Sequence, residues 1–133
     1  MSATADATSL AEQFVEFDAI IHSLRNYRDS ETDCVVALFD AGGVMVPEPI
    51  QKNYRRPIAD GMISPTGAFL GNGIFVVAGD RDCRAYSFAG HKVRELGTVS
   101  LEHPAVAVTP TNAIGQFAVL QSNGRVQVFL IEG

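Results

Sequence analysis

The first apolar positions of the chain are spaced as on a helix. In SLAEQFVEFDAIIHSLRNY, residues 9 to 27, Leu10, Phe14, Phe17, Ile21 and Leu24 recur at steps of four and three, which places them on one helical face. Ser9 and Glu12 stand three apart just ahead of that stripe, as in a capping box. The spacing predicts an amphipathic helix whose stripe needs a sheet or another helix to cover it.

Beyond Asp33 the pattern changes to short β-rich runs broken by turn residues. DCVVALFDAGGVMV (33–46), IFVVAGDRDCRAYSF (74–88) and FAVLQSNGRVQVFLI (117–131) each read as a hairpin. Asn123-Gly124 is the strongest turn signal of the three, because both residues tolerate the positive φ that tight hairpins require. Between the first two hairpins, Pro47, Pro49 and Pro57 restrict any helix to a short piece around Ile50 to Arg56. Between the last two, residues 89–116 read as an insertion, with Thr98–Leu101 and Ala105–Val108 as a candidate strand pair around His103-Pro104. The order predicts a single α+β domain over 1–133, with residues 1–8 flexible. Its core is one central antiparallel sheet of hairpins, with the N-terminal helix packed on one face.

A second pattern competes. Val44-Met45-Val46, Ala85-Tyr86-Ser87 and Val126-Gln127-Val128 follow one another at steps of 41 residues, near the repeat of a WD-type propeller blade. Three such blades make an incomplete propeller that needs a partner to close its ring. Against it stand dissimilar segments between the hairpins, the absence of Trp-Asp and Gly-His signatures, and a long helix that has no place in a blade.

Composition narrows the function classes. A net charge of −5 leaves no basic surplus for binding phosphate backbones, so nucleic acid is not expected as a partner. The N-terminus has no signal-peptide pattern, and no apolar run approaches the ~20 residues that span a bilayer. Cys34 and Cys83 lack a CxxC spacing and read as reduced, partly buried thiols, so a cytoplasmic protein is expected.

Candidate chemistry is sparse. His22, His91 and His103 stand alone, with no partner at metal-ligand spacing. Asp80 and Asp82 flank Arg81 in a turn, where Asp caps backbone. Gly71-Asn72-Gly73 is not a phosphate loop, because no helix N-terminus or Lys-Ser/Thr follows it. Ser64 and Ser87 lack the setting of a nucleophile elbow. No enzyme, cofactor or metal is expected.

The stretch from 64 to 88 resembles the profilins, small proteins that bind actin monomers. Their T-G-x-x-L-G-G motif is similar to Thr66-Gly67-Ala68-Phe69-Leu70-Gly71-Asn72-Gly73. PEPI at 47–50 resembles the start of the family's second helix, and ALFDAGGVMV at 37–46 its opening hairpin. The likeness covers residues 10–88 well and the rest loosely. It implies a profilin-like fold, a monomer in the cytoskeleton, and a face that binds actin monomer. On this chain the implied actin face comprises Ile74, Arg81, Arg84, Tyr86, Phe88 and Lys92. The family's groove for proline-rich proteins falls on Phe14, Phe17 and Met45, where Met45 replaces the usual Trp. Phosphoinositide head groups fall to Lys52, Arg55 and Arg56. The family's closing helix has no counterpart. The rival expectations are a dimeric adaptor on a roadblock or longin-like scaffold and the self-assembling partial propeller.

Overall fold

The structure is a computed structural model that describes residues 17, 19–47 and 55–132. Eleven strands fill it: β1 (Ile21–Arg28), β2 (Asp33–Phe39), β3 (Gly42–Pro47), β4 (Arg56–Ile58), β5 (Thr66–Gly71), β6 (Ile74–Ala78), β7 (Asp82–Ala89), β8 (Lys92–Ser100), β9 (Ala105–Pro110), β10 (Gln116–Gln121) and β11 (Val126–Leu130). Every ladder is antiparallel and joins strands adjacent in the chain. Sheet 1 has the order β1-β2-β3-β4, sheet 2 β5-β6-β7-β8, and sheet 3 β9-β10-β11.

The α+β expectation is therefore corrected: no helix occurs among the described residues, and three separate sheets replace one central sheet. The predicted helix fails where it can be seen. Ile21–Arg28 is a strand, laddered from Tyr27 opposite Cys34 to Leu24 opposite Ala37. Residues 1–16 lie outside the described part, as do 48–54, on which most of the short second helix fell; Arg56 begins β4 instead. All three hairpins are present, as β2–β3, β6–β7 and β10–β11. Thr98–Ser100 and Ala105–Val108 are also strand, but they belong to different sheets and do not pair.

The sheets stack, and the middle one is buried on both faces. IFVVA in β6 is a continuous apolar run for that reason. Phe75 and Val77 of β6, with Tyr86 and Phe88 of β7 on the same face, point at sheet 1, where they meet Val36, Leu38 and Met45. Val76 and Ala78 point the other way, onto Phe117 and Val119 of sheet 3. Aromatic rings fill the first interface, with Phe69 centroids 4.7 Å from Phe75 and 5.0 Å from Tyr27. Polar links stitch the same layer. Arg25 Nε donates to the Gly67 carbonyl at 3.1 Å, and the Ala59 N–H donates to the Tyr86 hydroxyl at 2.8 Å. Gly90 N–H donates to the buried Thr32 hydroxyl at 2.8 Å.

Turns at both ends of this layer are set by side chains and by glycine. Asp29 accepts the Tyr27 hydroxyl and then the N–H groups of Glu31 and Thr32, which together hold its carboxyl below the usual range. Asn72 (φ 53°) and Gly73 (φ 73°) form the two-residue turn between β5 and β6, both in the left-handed region as a type I′ turn demands. Gly73 has a second constraint: a Cβ there would run into the Phe88 carbonyl oxygen. The Gly-Asn-Gly stretch thus serves a tight hairpin pressed against β7.

The 41-residue spacing has a structural counterpart. Met45, Tyr86 and Gln127 all lie on the third strand of their sheets. The equivalence stops at the strand, because Met45 faces onward to sheet 2 whereas Tyr86 faces back to sheet 1. The first strands of successive sheets, β1, β5 and β9, lie side by side.

Candidate functional site

Calling the side of a sheet that looks toward the next its forward face, the two ends of the stack differ. The back of sheet 1 is closed: Ala37, Val44 and Val46 are buried, with Phe17, Ile21 and Phe39 packed against them. The forward face of sheet 3 is open. Pairing of Leu120 with Val126 and of Ala118 with Val128 puts those residues and Leu130 on one side of the sheet. Val126, Val128 and Leu130 are 60%, 56% and 57% exposed, and Leu120 is partly exposed beside them. The opposite side, carrying Phe117, Val119 and Phe129, is packed on sheet 2. Alternation along β11 thus puts three aliphatic residues where polar ones are expected.

A slot opens beside this face. Sheet 2 has four strands and sheet 3 three, so β8 extends one strand beyond β11. A cavity of about 680 Å³ lies there, lined by Leu96, Gly97 and Val99 of β8 and by Phe129, Leu130 and Ile131. Cys83 forms part of its floor; burial, helped by the Asp82 carboxylate, pushes the thiol up to about 12. Arg94 and Glu132 stand at its rim.

The free edge of β11 can be read from the ladder. Gln121 N–H donates to the Arg125 carbonyl and Ile131 N–H to the Gly115 carbonyl. Antiparallel bonds alternate, so Gln127 and Phe129 bond to β10, whereas Val126, Val128 and Leu130 direct their N–H and C=O outward.

The residues singled out by the profilin resemblance are dispersed. Tyr86 and Phe88 share a face, but it is the buried one against sheet 1. Ile74 packs on the opposite side, toward sheet 3. Arg84 is held by Asp82 at 2.9 Å and donates to the Asp60 carbonyl at 3.0 Å, and the Asp82 hydrogen bond raises its pKa. Arg81, paired with Asp80 at 3.8 Å, and Lys92 stand on the surface. Of the proline-groove residues, Met45 is buried between sheets 1 and 2, Phe17 packs behind sheet 1, and Phe14 lies outside the described residues. Of the basic cluster, Arg55 lies 4.9 Å over the Phe17 ring and Arg56 donates to the His91 carbonyl at 3.2 Å. Lys52 is outside the described residues. The sequence reading does not include the forward face of sheet 3: V-x-V-x-L in β11 shows an aliphatic alternation but not which way that side faces.

Among the described residues no group of three or more His, Cys, Asp or Glu is placed to hold a metal ion, and no helix is long and apolar enough to cross a membrane. No protein-family model matches the chain, and no curated protein or solved structure matches it significantly.

Proposed function

We propose that this chain is a protein-interaction module, a partial propeller that self-associates by burying the forward face of sheet 3 against a second copy. The observation that carries the reading is the aliphatic row Val126, Val128 and Leu130, exposed at the end of a stack whose other internal faces are covered. The closed back of sheet 1 bears on the geometry of assembly. A forward-to-back contact would extend into a filament, but the back already has its cover. Forward-to-forward contact is self-complementary and stops at two copies. Fully burying a valine or leucine is worth ~1.5–3 kcal/mol, so four half-exposed residues supply about 3–6 kcal/mol per copy. Association itself costs ~4–15 kcal/mol, so the dimer is expected to be concentration-dependent.

Sedimentation equilibrium across micromolar to millimolar protein is the test. A monomer–dimer equilibrium that Val128→Asp shifts to monomer, with an unchanged circular dichroism spectrum, is the expected outcome. A protein that stays monomeric throughout, or a dimer indifferent to Val128→Asp, removes the reading. Monomeric actin added to the same run tests the partner that the profilin resemblance implies.

A further inference from the structure

The slot beside β11 has a chemistry that the forward face does not. Its floor and far wall are mostly apolar, and it opens onto the free edge of β11: Leu130, which lines it, directs its N–H and C=O outward, as Val126 and Val128 do further along the strand. An apolar ligand would leave those groups unmatched, whereas an extended polypeptide matches each in turn. The slot also continues the packed layer between sheets 2 and 3. Val99 pairs with Cys83 and Gly97 with Ala85, so both β8 residues share the side of sheet 2 that carries Val76 and Ala78 and that Phe117 and Val119 cover further in. The packed interface runs outward under β11 and then loses its upper layer, while β8 goes on.

We propose that this slot takes one extended peptide segment of a different protein, which adds a fourth strand to sheet 3 along β11. The segment carries apolar side chains at alternate positions, because only every second one points down onto Leu96, Gly97 and Val99. Arg94 and Glu132 at the rim give polar flanks of either sign a counter-charge. A second copy's β11 does not fit. Two β11 strands paired antiparallel would be related by a two-fold axis through the sheet. Each copy's β8 would then lie beneath the other's β11, where β7 already stands. The occupant is a single free strand, not the edge of another such sheet.

Gly97 supplies the discriminating variant. A Cβ at this position meets nothing within 4 Å, and its direction is into the slot, so Gly97→Leu fills the site while leaving the forward face intact. The probe is a fluorescein-labelled synthetic peptide of alternating valine and threonine with a lysine at each end, followed by anisotropy on the full chain. Saturable one-to-one binding is expected. It should weaken at least about tenfold in Gly97→Leu. It should also be lost when alternate peptide nitrogens are methylated, since methylation removes donors without changing side chains. Equal binding by the methylated peptide, equal binding by Gly97→Leu with an unchanged melting temperature, or no saturation in the low millimolar range would each overturn the proposal. The proposal is separable from self-association: Val128→Asp removes the dimer through a side chain on the forward face, while Gly97→Leu leaves the dimer and removes the peptide.

Discussion

Gly73 is where residue chemistry and fold are most tightly tied. Its φ of 73° suits glycine, and its missing Cβ lets the Phe88 carbonyl approach, while Phe88 N–H donates to the Gly73 carbonyl at 2.7 Å. Gly71 also has positive φ but has open space where its Cβ would be. Gly73→Ala is therefore expected to cost ~3 kcal/mol, strain plus collision, and Gly71→Ala only the ~1–2 kcal/mol of a left-handed L-residue. Urea denaturation of the two variants checks the order. Cys83 has a pH signature. Its thiol, pushed up to about 12, stays protonated in the folded chain after an unfolded thiol has ionised. Its share of stability is present below the unfolded value and is lost as pH rises toward 12. Cys83→Ala should flatten the fall of the urea midpoint between neutral and strongly alkaline pH relative to the parent chain. Equal slopes would exclude that origin.

At the scale of elements, the sequence was legible wherever local chemistry decided the outcome. The hairpins turn at Asp40-Ala41, Asp80-Arg81 and Asn123-Gly124, segments built on Asp, Asn and glycine, with Gly124 in the left-handed region (φ 88°). The predicted helix shows the opposite case. Ile21 and Leu24 fit a helical stripe, but Arg25 and Tyr27 alternate equally well as one face of a strand, and both have partners there. Tyr27 stacks on Phe69, Arg25 reaches Gly67, and β2 offers a ladder along the whole segment. Those partners are distant in sequence, so a local window could not weigh them against the helical period. The edge of β11 gives a test at the same scale. Gln127→Pro removes a ladder donor and should cost ~3 kcal/mol or more, whereas Val128→Pro removes only an outward N–H and should fold. Thermal melts of the pair would show whether the alternation of bonds along β11 is assigned correctly.

At the scale of the whole molecule, the candidate site was the least legible part. V-x-V-x-L in β11 reads as ordinary strand alternation, and nothing local says that its aliphatic side faces outward. That follows only from the count of sheets and from which side of sheet 3 meets sheet 2. The profilin resemblance rested on turn glycines and strand composition, which a stack of hairpins satisfies as well as one sheet does. Tyr86 and Phe88, which the resemblance assigns to a binding face, share a face that is core. The 41-residue step was weighed against a helix that the described residues do not contain. With Ile21–Arg28 a strand, the repeat of third strand upon third strand is the pattern that relates the three sheets.

Because every strand pairs only with its sequence neighbours, the order in which the chain assembles follows from the stack itself. Each meander closes small loops and can form early, at little entropic cost. None can keep its form alone, since each exposes an apolar side until a neighbour arrives. Of the three described sheets, sheet 2 alone lies between two others and must wait for both. Its central strand β6 is then the last to become inaccessible and the hardest to reopen, because freeing its amides requires both layers to part. Native-state hydrogen exchange should find the slowest amides at Phe75, Val76 and Val77, and the fastest strand amides at Val126, Val128 and Leu130. The gradient between them would trace a molecule that frays from sheet 3 inward.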